Sequence, residues 1–323
     1  MPVACAEESG NASSLHDCLG RGLPVKRAVS ISLGSPTRDK KVVIDFNGQL
    51  VELQRIGTGG NEQVARRLFT ELDGKVDALS VGGIDLYVRL DGCDYPIRQA
   101  LKMVEGVHRS PLVDGRVLKY VLEQKLFERA EPMLGEVPHF QRAFMPSCVD
   151  RIGLVQAVSS VTDEVIIGDL MFYLGIPVPV RGLAQYKRVA RVILPLAGYF
   201  PMRMLYPPGA KEESPQPKYI QYWQAADLIA GDLHYIRKYA PAKLHGKTVV
   251  TNTTTDQNIT MLRQRGVRLV ITSTPRYDGR SFGVNAMEAA LTAYAGKGRA
   301  LSETELGALI DELDLRPTVM HLN

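Results

Sequence analysis

Residues 140–160 spell a strand, a turn and a helix, and this unit constrains the fold of the 323-residue chain more than any other segment. Phe140-Gln-Arg-Ala-Phe-Met-Pro-Ser147 reads as a strand that Pro146 ends early. Cys148-Val-Asp-Arg-Ile-Gly153 is the turn, and Leu154, Val155 and Val158 form the apolar face of the helix. Asp169 ends the next strand, about twenty residues past the turn, where an acid would hydrogen-bond an NAD ribose. Of the three glycines such a turn uses, only the helix-packing one, Gly153, is present. Cys148 stands at the tight turn and Asp150 where backbone should touch pyrophosphate. The unit predicts a dinucleotide-type fold more firmly than it predicts the dinucleotide.

The rest of the chain repeats the alternation. Ala28 to Leu33 reads as a strand, and residues 41–56 form a hairpin around Asn47-Gly48. Thr58-Gly-Gly-Asn61 opens a helix with Val64, Leu68 and Leu72 on one face, closed by Gly74. Strands follow at 76–81 and 111–114, with a hairpin at 87–95 across Asp91-Gly92 and helices from Ile97 and around Leu118 to Leu126. Beyond residue 160, strands are expected at 165–169, 226–231, 248–252 and 268–273, with a long helix from Leu183 and a Pro-rich loop at 207–217. Asp256 caps a helix that Gly266 ends, and two last helices start near Ser281 and at Ser302, where Glu305 completes a capping box.

The predicted architecture is α/β in two lobes. A disordered extension covers 1–24 and an N-terminal α/β lobe for substrate and catalysis covers 25–137. A doubly wound, Rossmann-like parallel sheet for nucleotide covers 138–296, and a C-terminal helix and tail cover 297–323.

A formal charge of +4 with scattered basic residues slightly favours small anionic ligands and gives no nucleic-acid stripe. Four cysteines without a CxxC suggest neither a disulfide framework nor zinc, so a reducing cytoplasm is expected. No segment has the length and apolarity to insert in a membrane. The face Tyr186, Val189, Ala190 and Ile193 is expected to pack on the sheet or form a homo-oligomer contact; guiding an acyl chain is a further reading.

Three acids end strands of the second lobe: Asp150, Asp169 and Asp232. Two negative charges about 4 Å apart repel by roughly 4 kcal/mol at an effective dielectric of about 20, so pyrophosphate there needs Arg151, Arg181 or Arg237, or a divalent cation, beside it. Each acid alone is equally well an N-cap of the following helix. Asn252, Thr253, Thr254, Thr272 and Thr274 supply hydroxyls and an amide at two further strand ends, where phosphate or ribose is commonly held. The cofactor set is therefore Cys148, Asp150, Arg151, Gly153, Asp169, Asp232 and these five residues, for NAD or NADP. In the first lobe, Arg38 suits a carboxylate and Ser30 and Ser32 suit hydroxyls, with Arg280 reaching in from the second. Lys119, with Asp85 or Asp114 as partner, is the candidate acid/base; otherwise it is a solvated helix residue.

Val29-Ser-Ile-Ser-Leu-Gly-Ser35, Gly82-Gly-Ile-Asp-Leu-Tyr87, Pro111-Leu-Val-Asp-Gly115, Val149-Asp-Arg-Ile-Gly153, Gly231-Asp-Leu-His-Tyr-Ile-Arg237, Thr251-Asn-Thr-Thr-Thr255 and Gly279-Arg-Ser-Phe-Gly283 together resemble a bacterial family labelled quinate 5-dehydrogenase. The resemblance covers nearly everything after the N-terminal tail. It implies a shikimate-dehydrogenase-like enzyme with a catalytic lobe, a Rossmann lobe, NAD(P), and a quinate or shikimate ring hydroxyl as the group oxidised. The lysine–aspartate motif of that enzyme group matches no run here, so no catalytic residue is carried over.

The expected function is NAD(P)-dependent oxidation of a small hydroxylated carboxylic acid. The alternative is a Rossmann-derived protein of changed ligand, either a metal-assisted transferase or lyase or a ligand-binding module without turnover. An acyl-chain reductase is a further alternative.

Overall fold

The computed structural model describes residues 3–6, 25–198, 215–274, 276–277, 280–281 and 283–323. Two sheets form its frame. The first has strand order β1-β3-β4-β2-β5-β8: β1 (Val3–Ala6), β2 (Lys26–Ser32), β3 (Lys40–Phe46), β4 (Gln49–Gly57), β5 (Ala78–Gly82) and β8 (Leu112–Val113). The β3–β4 hairpin turns at Asn47 and Gly48, both at positive φ, as the Asn-Gly pair predicts. Helices α1 (Glu62–Leu72) and α2 (Arg98–Met103) and the hairpin β6 (Tyr87–Leu90)–β7 (Cys93–Pro96) complete this part of the chain.

Helices α3 (Arg116–Gln124) and α4 (Leu126–Leu134) lead to the second sheet, ordered β11-β10-β9-β12-β13-β14-β17. Its centre is five parallel strands: β10 (Thr162–Ile167), β9 (Phe140–Met145), β12 (Leu228–Ala230), β13 (Thr248–Thr251) and β14 (Leu269–Thr272). Antiparallel edges β11 (Val180–Arg181) and β17 (Thr318–His321) flank them. Between strands run α5 (Ile152–Ser160), α6 (Asp169–Tyr173), α7 (Gly182–Ala197), α8 (Ile220–Ala225), α9 (Leu233–Tyr239) and α10 (Asp256–Gln264). A short ribbon, β15 (Arg276–Tyr277) and β16 (Arg280–Ser281), precedes α11 (Val284–Ala295) and α12 (Glu303–Glu312). The fold is the predicted two-lobed α/β architecture.

Alternation along β2 sets the layers. Val29 and Ile31 join Ala65 and Phe69 of α1 in a core that continues into the second sheet through Val155, Val158 and Val250. Ala28 faces the other way, to Met287 and Ala290 of α11 and to Leu118 and Leu122 of α3. A third core covers the far face of the second sheet, with Trp223, Ile236 and Leu262.

Four sequence expectations are corrected. Val3–Ala6, placed in a disordered extension, pairs antiparallel with β3, because a short apolar run can satisfy an edge strand by backbone bonds alone. Helix α11, assigned to the nucleotide lobe, packs on β2, β4 and β5 of the first sheet, because an Ala-rich helix buried nearly all round needs a flat sheet face. The C-terminal tail is strand β17, on the edge of the second sheet. Thr255 rather than Asp256 caps α10: its side chain accepts from the Asn258 N–H. The Pro-rich loop up to residue 214 lies outside the described residues.

Candidate ligand cleft

Gly115, at φ +90°, starts α3 where a Cβ would lie 2.7 Å from the Asn285 backbone nitrogen, so α3 and α11 can meet only at glycine. Leu118 and Leu122 then sink into the core against α11. Lys119 and Glu123, one helical turn apart, face α5 and are also buried. Lys119 Nζ lies 2.5 Å from Asp150 Oδ2 and 3.2 Å from Asp85 Oδ2. Glu123 pairs with Arg151, whose Nη2 is also 3.8 Å from Asp232. A row of alternating charges thus fills the space between the lobes.

Burial opposes the Lys119 ammonium, but Asp150 and then Asp85 outweigh it and hold the group firmly protonated. Burial likewise opposes the Asp150 carboxylate; Lys119 and Arg151 reverse that and keep it ionised, below the usual range. Asp85 is left over. Burial lifts it to about 7 against the pull of Lys119, with Asp150 and Asp114 adding to the rise. Asp114 sits just behind, accepting from the Leu86 N–H at 2.8 Å and pairing with Arg116 at 3.0 Å.

These groups border a small cleft lined by Asp85, Tyr87, Arg89, Arg116, Tyr120, Glu123, Asp150, Ile152 and Gly153. Arg116 stacks over the Tyr87 ring at 4.6 Å and Arg89 over the Tyr120 ring at 5.7 Å. Its volume is about 10 Å³, room for about one water molecule. A larger ligand requires the partly exposed Arg89 and Arg116 side chains to swing outward.

The β9–α5 turn is where a dinucleotide-binding unit holds pyrophosphate, at the N-terminus of the helix. Here the protein's own groups take that place. Glu123, raised by burial, has its charge supported by Arg151, by Lys119 and by the Leu154 amide in the first turn of α5. Asp169 accepts from the Cys148 N–H at 2.7 Å, and burial lifts its pKa to about 7 while the Cys148 and Val149 amides pull it down. Gly153 does pack a helix, but that helix is α3: a Cβ there would lie 2.8 Å from the Tyr120 carbonyl oxygen. The residues of this turn do not fit a pyrophosphate. Nor do they gather around a divalent cation: Asp150 pairs with Lys119, Glu123 with Arg151, and Asp232 caps α9, leaving only single unpartnered oxygens on Asp169 and Glu123. Among the described residues no group of three His, Cys, Asp or Glu is disposed to hold a metal.

The remaining candidates are dispersed. Asp232 is the N-cap of α9, accepting from the His234 N–H at 2.7 Å. Cys148 is buried, with its carbonyl accepting from the Tyr186 hydroxyl. Thr274 donates to the Asn252 carbonyl at 2.6 Å and Thr272 to the Thr274 carbonyl at 3.1 Å, stitching the ends of β13 and β14 together. Thr254 is buried beside them and Thr253 half-buried, neither near the cleft lining. Ser30 accepts from Asn285 of α11, and Ser32 and Arg38 sit at the end of β2. The Arg280 side chain lies outside the described residues. The face of α7 packs on β10, α5 and the β6–β7 hairpin, so Tyr186 and Ala190 belong to the core and not to an acyl channel.

Sequence reasoning missed Glu123, Tyr120, Arg89, Arg116 and Tyr87. Glu123 carried a usable signal: it stands four residues after Lys119, on the same helical face. Arg116 and Arg89 carried none, since surface arginines are common.

A family model described as Domain of unknown function (DUF8754) matches residues 117–322, and one described as Domain of unknown function (DUF8753) matches residues 27–114. The first model therefore contains nearly all of α3 together with the turn it covers. No curated protein sequence matches the chain. Among solved structures the chain is similar to GanP, a glucose-galactose binding protein from Geobacillus stearothermophilus, at 8% identity over 92% of this chain and 98% of that one, with a TM-score of 0.33. It is also similar to hetero-hexameric glutamate dehydrogenase from Thermus thermophilus, at 12% identity over 90% and 74%, with a TM-score of 0.39. A galactofuranose binding protein is matched at 11% identity over 92% and 95%, with a TM-score of 0.33. No helix among the described residues is long and apolar enough to cross a membrane.

Proposed function

The chain belongs to the family described as Domain of unknown function (DUF8754), and from that premise we propose that it is a Rossmann-derived protein of changed ligand. It binds a small hydroxylated molecule in the cleft between its lobes and takes no dinucleotide at the β9–α5 turn. The observation that carries this reading is the filling of that turn by α3, with Glu123 against the α5 N-terminus and Asp169 on the Cys148 amide.

The cleft has the chemistry such a ligand needs. Asp85, with a pKa of about 7, accepts from or donates to a hydroxyl, and Lys119 beside it fixes the charge of the floor. Arg89 and Arg116 offer forked donors to a hydroxyl or carboxylate, and Tyr87 and Tyr120 offer apolar ring faces to carbon. Binding of quinate, shikimate and hexoses, followed by thermal shift in the wild type and in Asp85→Asn, tests the proposal. Stabilisation by at least one of them in the wild type, lost in the variant, is the expected result; no stabilisation by any of them counts against it.

One observation favours a second reading. Lys119 and Asp85 are 3.2 Å apart and form a lysine–aspartate pair able to carry the proton of a hydroxyl under oxidation. This reading requires NAD(P) to bind elsewhere than at the β9–α5 turn. Quinate- or shikimate-dependent reduction of NAD or NADP by the purified protein would establish it in place of the first.

A further inference from the structure

A second polar site lies at the carboxyl edge of the first sheet. In that sheet β2 sits between β4 and β5, parallel to both. The chain leaving β2 goes to the β4 side and the chain leaving β5 goes to the β8 side, which makes their carboxyl ends the topological switch point where open α/β sheets commonly place a ligand. Ser32 ends β2 at this crevice and is only 4% exposed. Its hydroxyl accepts from the Gly34 N–H at 3.1 Å and from Arg55 Nη2 at 3.0 Å, and among the described residues it donates to nothing. A serine hydroxyl has one hydrogen to give, so a buried donor here is left without an acceptor.

Two guanidinium groups converge on the same spot. The Nη2 atoms of Arg55 and Arg38 lie 2.8 and 3.2 Å from the point that a Cβ on Gly34 would occupy, with Ser32 Oγ 3.3 Å from it. Asp39 answers only one of them: it pairs with Arg55 at 2.7 Å, while Arg38 makes no ion pair among the described residues. Burial, and then the charge of Arg38, pull the Arg55 pKa down, as an uncompensated neighbour should. The missing side chain at Gly34 is what lets the three groups crowd this close to its backbone, with the exposed Arg38 free to swing out around an incoming anion.

We propose that Ser32, Arg38 and Arg55 form a binding site for the oxyanion group of a small molecule, a carboxylate or a phosphate, seated over Gly34. The Ser32 hydroxyl and the two guanidinium groups donate to it, and its charge cancels the repulsion between the arginines. The site does not rest on the reading of the Asp85 cleft.

Thermal shift and calorimetric titration with inorganic phosphate and with malonate test this, at an ionic strength held constant with sodium chloride. At least one probe should bind saturably, and the stronger of the two identifies the anion class. Arg38→Gln should weaken that binding by roughly tenfold or more, the loss of one charged hydrogen-bond donor. Arg38 is exposed and without an ion pair, so this variant should melt as the wild type does in chloride alone. Gly34→Ala, whose methyl group would push the Arg55 and Arg38 guanidinium groups apart, should weaken binding too, and Asp85→Asn should leave it unchanged. Equal affinity in the wild type and Arg38→Gln, or no response to either probe beyond that of chloride, would overturn the proposal.

Discussion

A lysine ammonium as buried as Lys119 is costly unless carboxylates face it, and here two do, Asp150 at 2.5 Å and Asp85 at 3.2 Å. The nearer one, supported also by Arg151, keeps its charge below the usual range, whereas burial raises Asp85 to about 7. Glu288 gives an independent check on such buried acids. It lies inside α11, accepts from the Leu118 N–H at 3.1 Å, and burial, with Asp114 adding, raises its pKa to about 8. An acid raised by folding is held protonated by the fold. Its contribution to stability is complete below the unfolded value of about 4.3 and is lost as the pH climbs through about 8. Melting measured from about pH 5 to about pH 9 should therefore fall in the wild type and fall less in Glu288→Gln. Equal slopes would show that Glu288 is already ionised in the folded protein. Lys119 and Asp85 were nameable from sequence because a helix start and a glycine-rich strand end bring polar groups to a lobe junction. The pairing of Lys119 with Asp150 was not, because that contact crosses from one lobe to the other.

Among the elements, α3 and α5 make the contact that joins the lobes. Gly153→Ala puts a methyl group against the Tyr120 backbone and should cost about 1–3 kcal/mol in chemical denaturation, because neither helix can yield without moving its sheet. Glu123→Ala removes the close partner of buried Arg151, leaving it only the longer 3.8 Å contact with Asp232, and should cost about 3–5 kcal/mol; a loss of under about 1 kcal/mol would mean that Asp232 or water already serves this charge. Most elements were legible in the sequence, since periodicity and turn residues act locally: Asn47-Gly48, Asp91-Gly92 and the Ser302–Glu305 capping box all form as read. The placement of α11 was not legible. A helix apolar nearly all round announces burial but not which sheet buries it, and the ribbon before it carries the chain back to the first lobe.

At the scale of the molecule, one apolar core runs from α1 through both sheets to β14, so the lobes meet through packed side chains as well as through charges. The second sheet keeps the strand order of a nucleotide-binding fold, while the point where nucleotide should enter is closed by the helix that links the lobes. Fold was readable because it depends on pattern. Ligand was not, because Cys148, Asp150 and Gly153 look the same in sequence whether pyrophosphate or Glu123 lies against the turn. The most direct test is a calorimetric titration of the wild-type protein with NADH and NADPH, repeated in the presence of whichever hydroxylated ligand stabilises it. With the turn filled by Glu123, neither nucleotide should give saturable heat under either condition. Saturable binding of either one, lost when Asp150 is changed to Arg, would place the dinucleotide at the β9–α5 turn and contradict this.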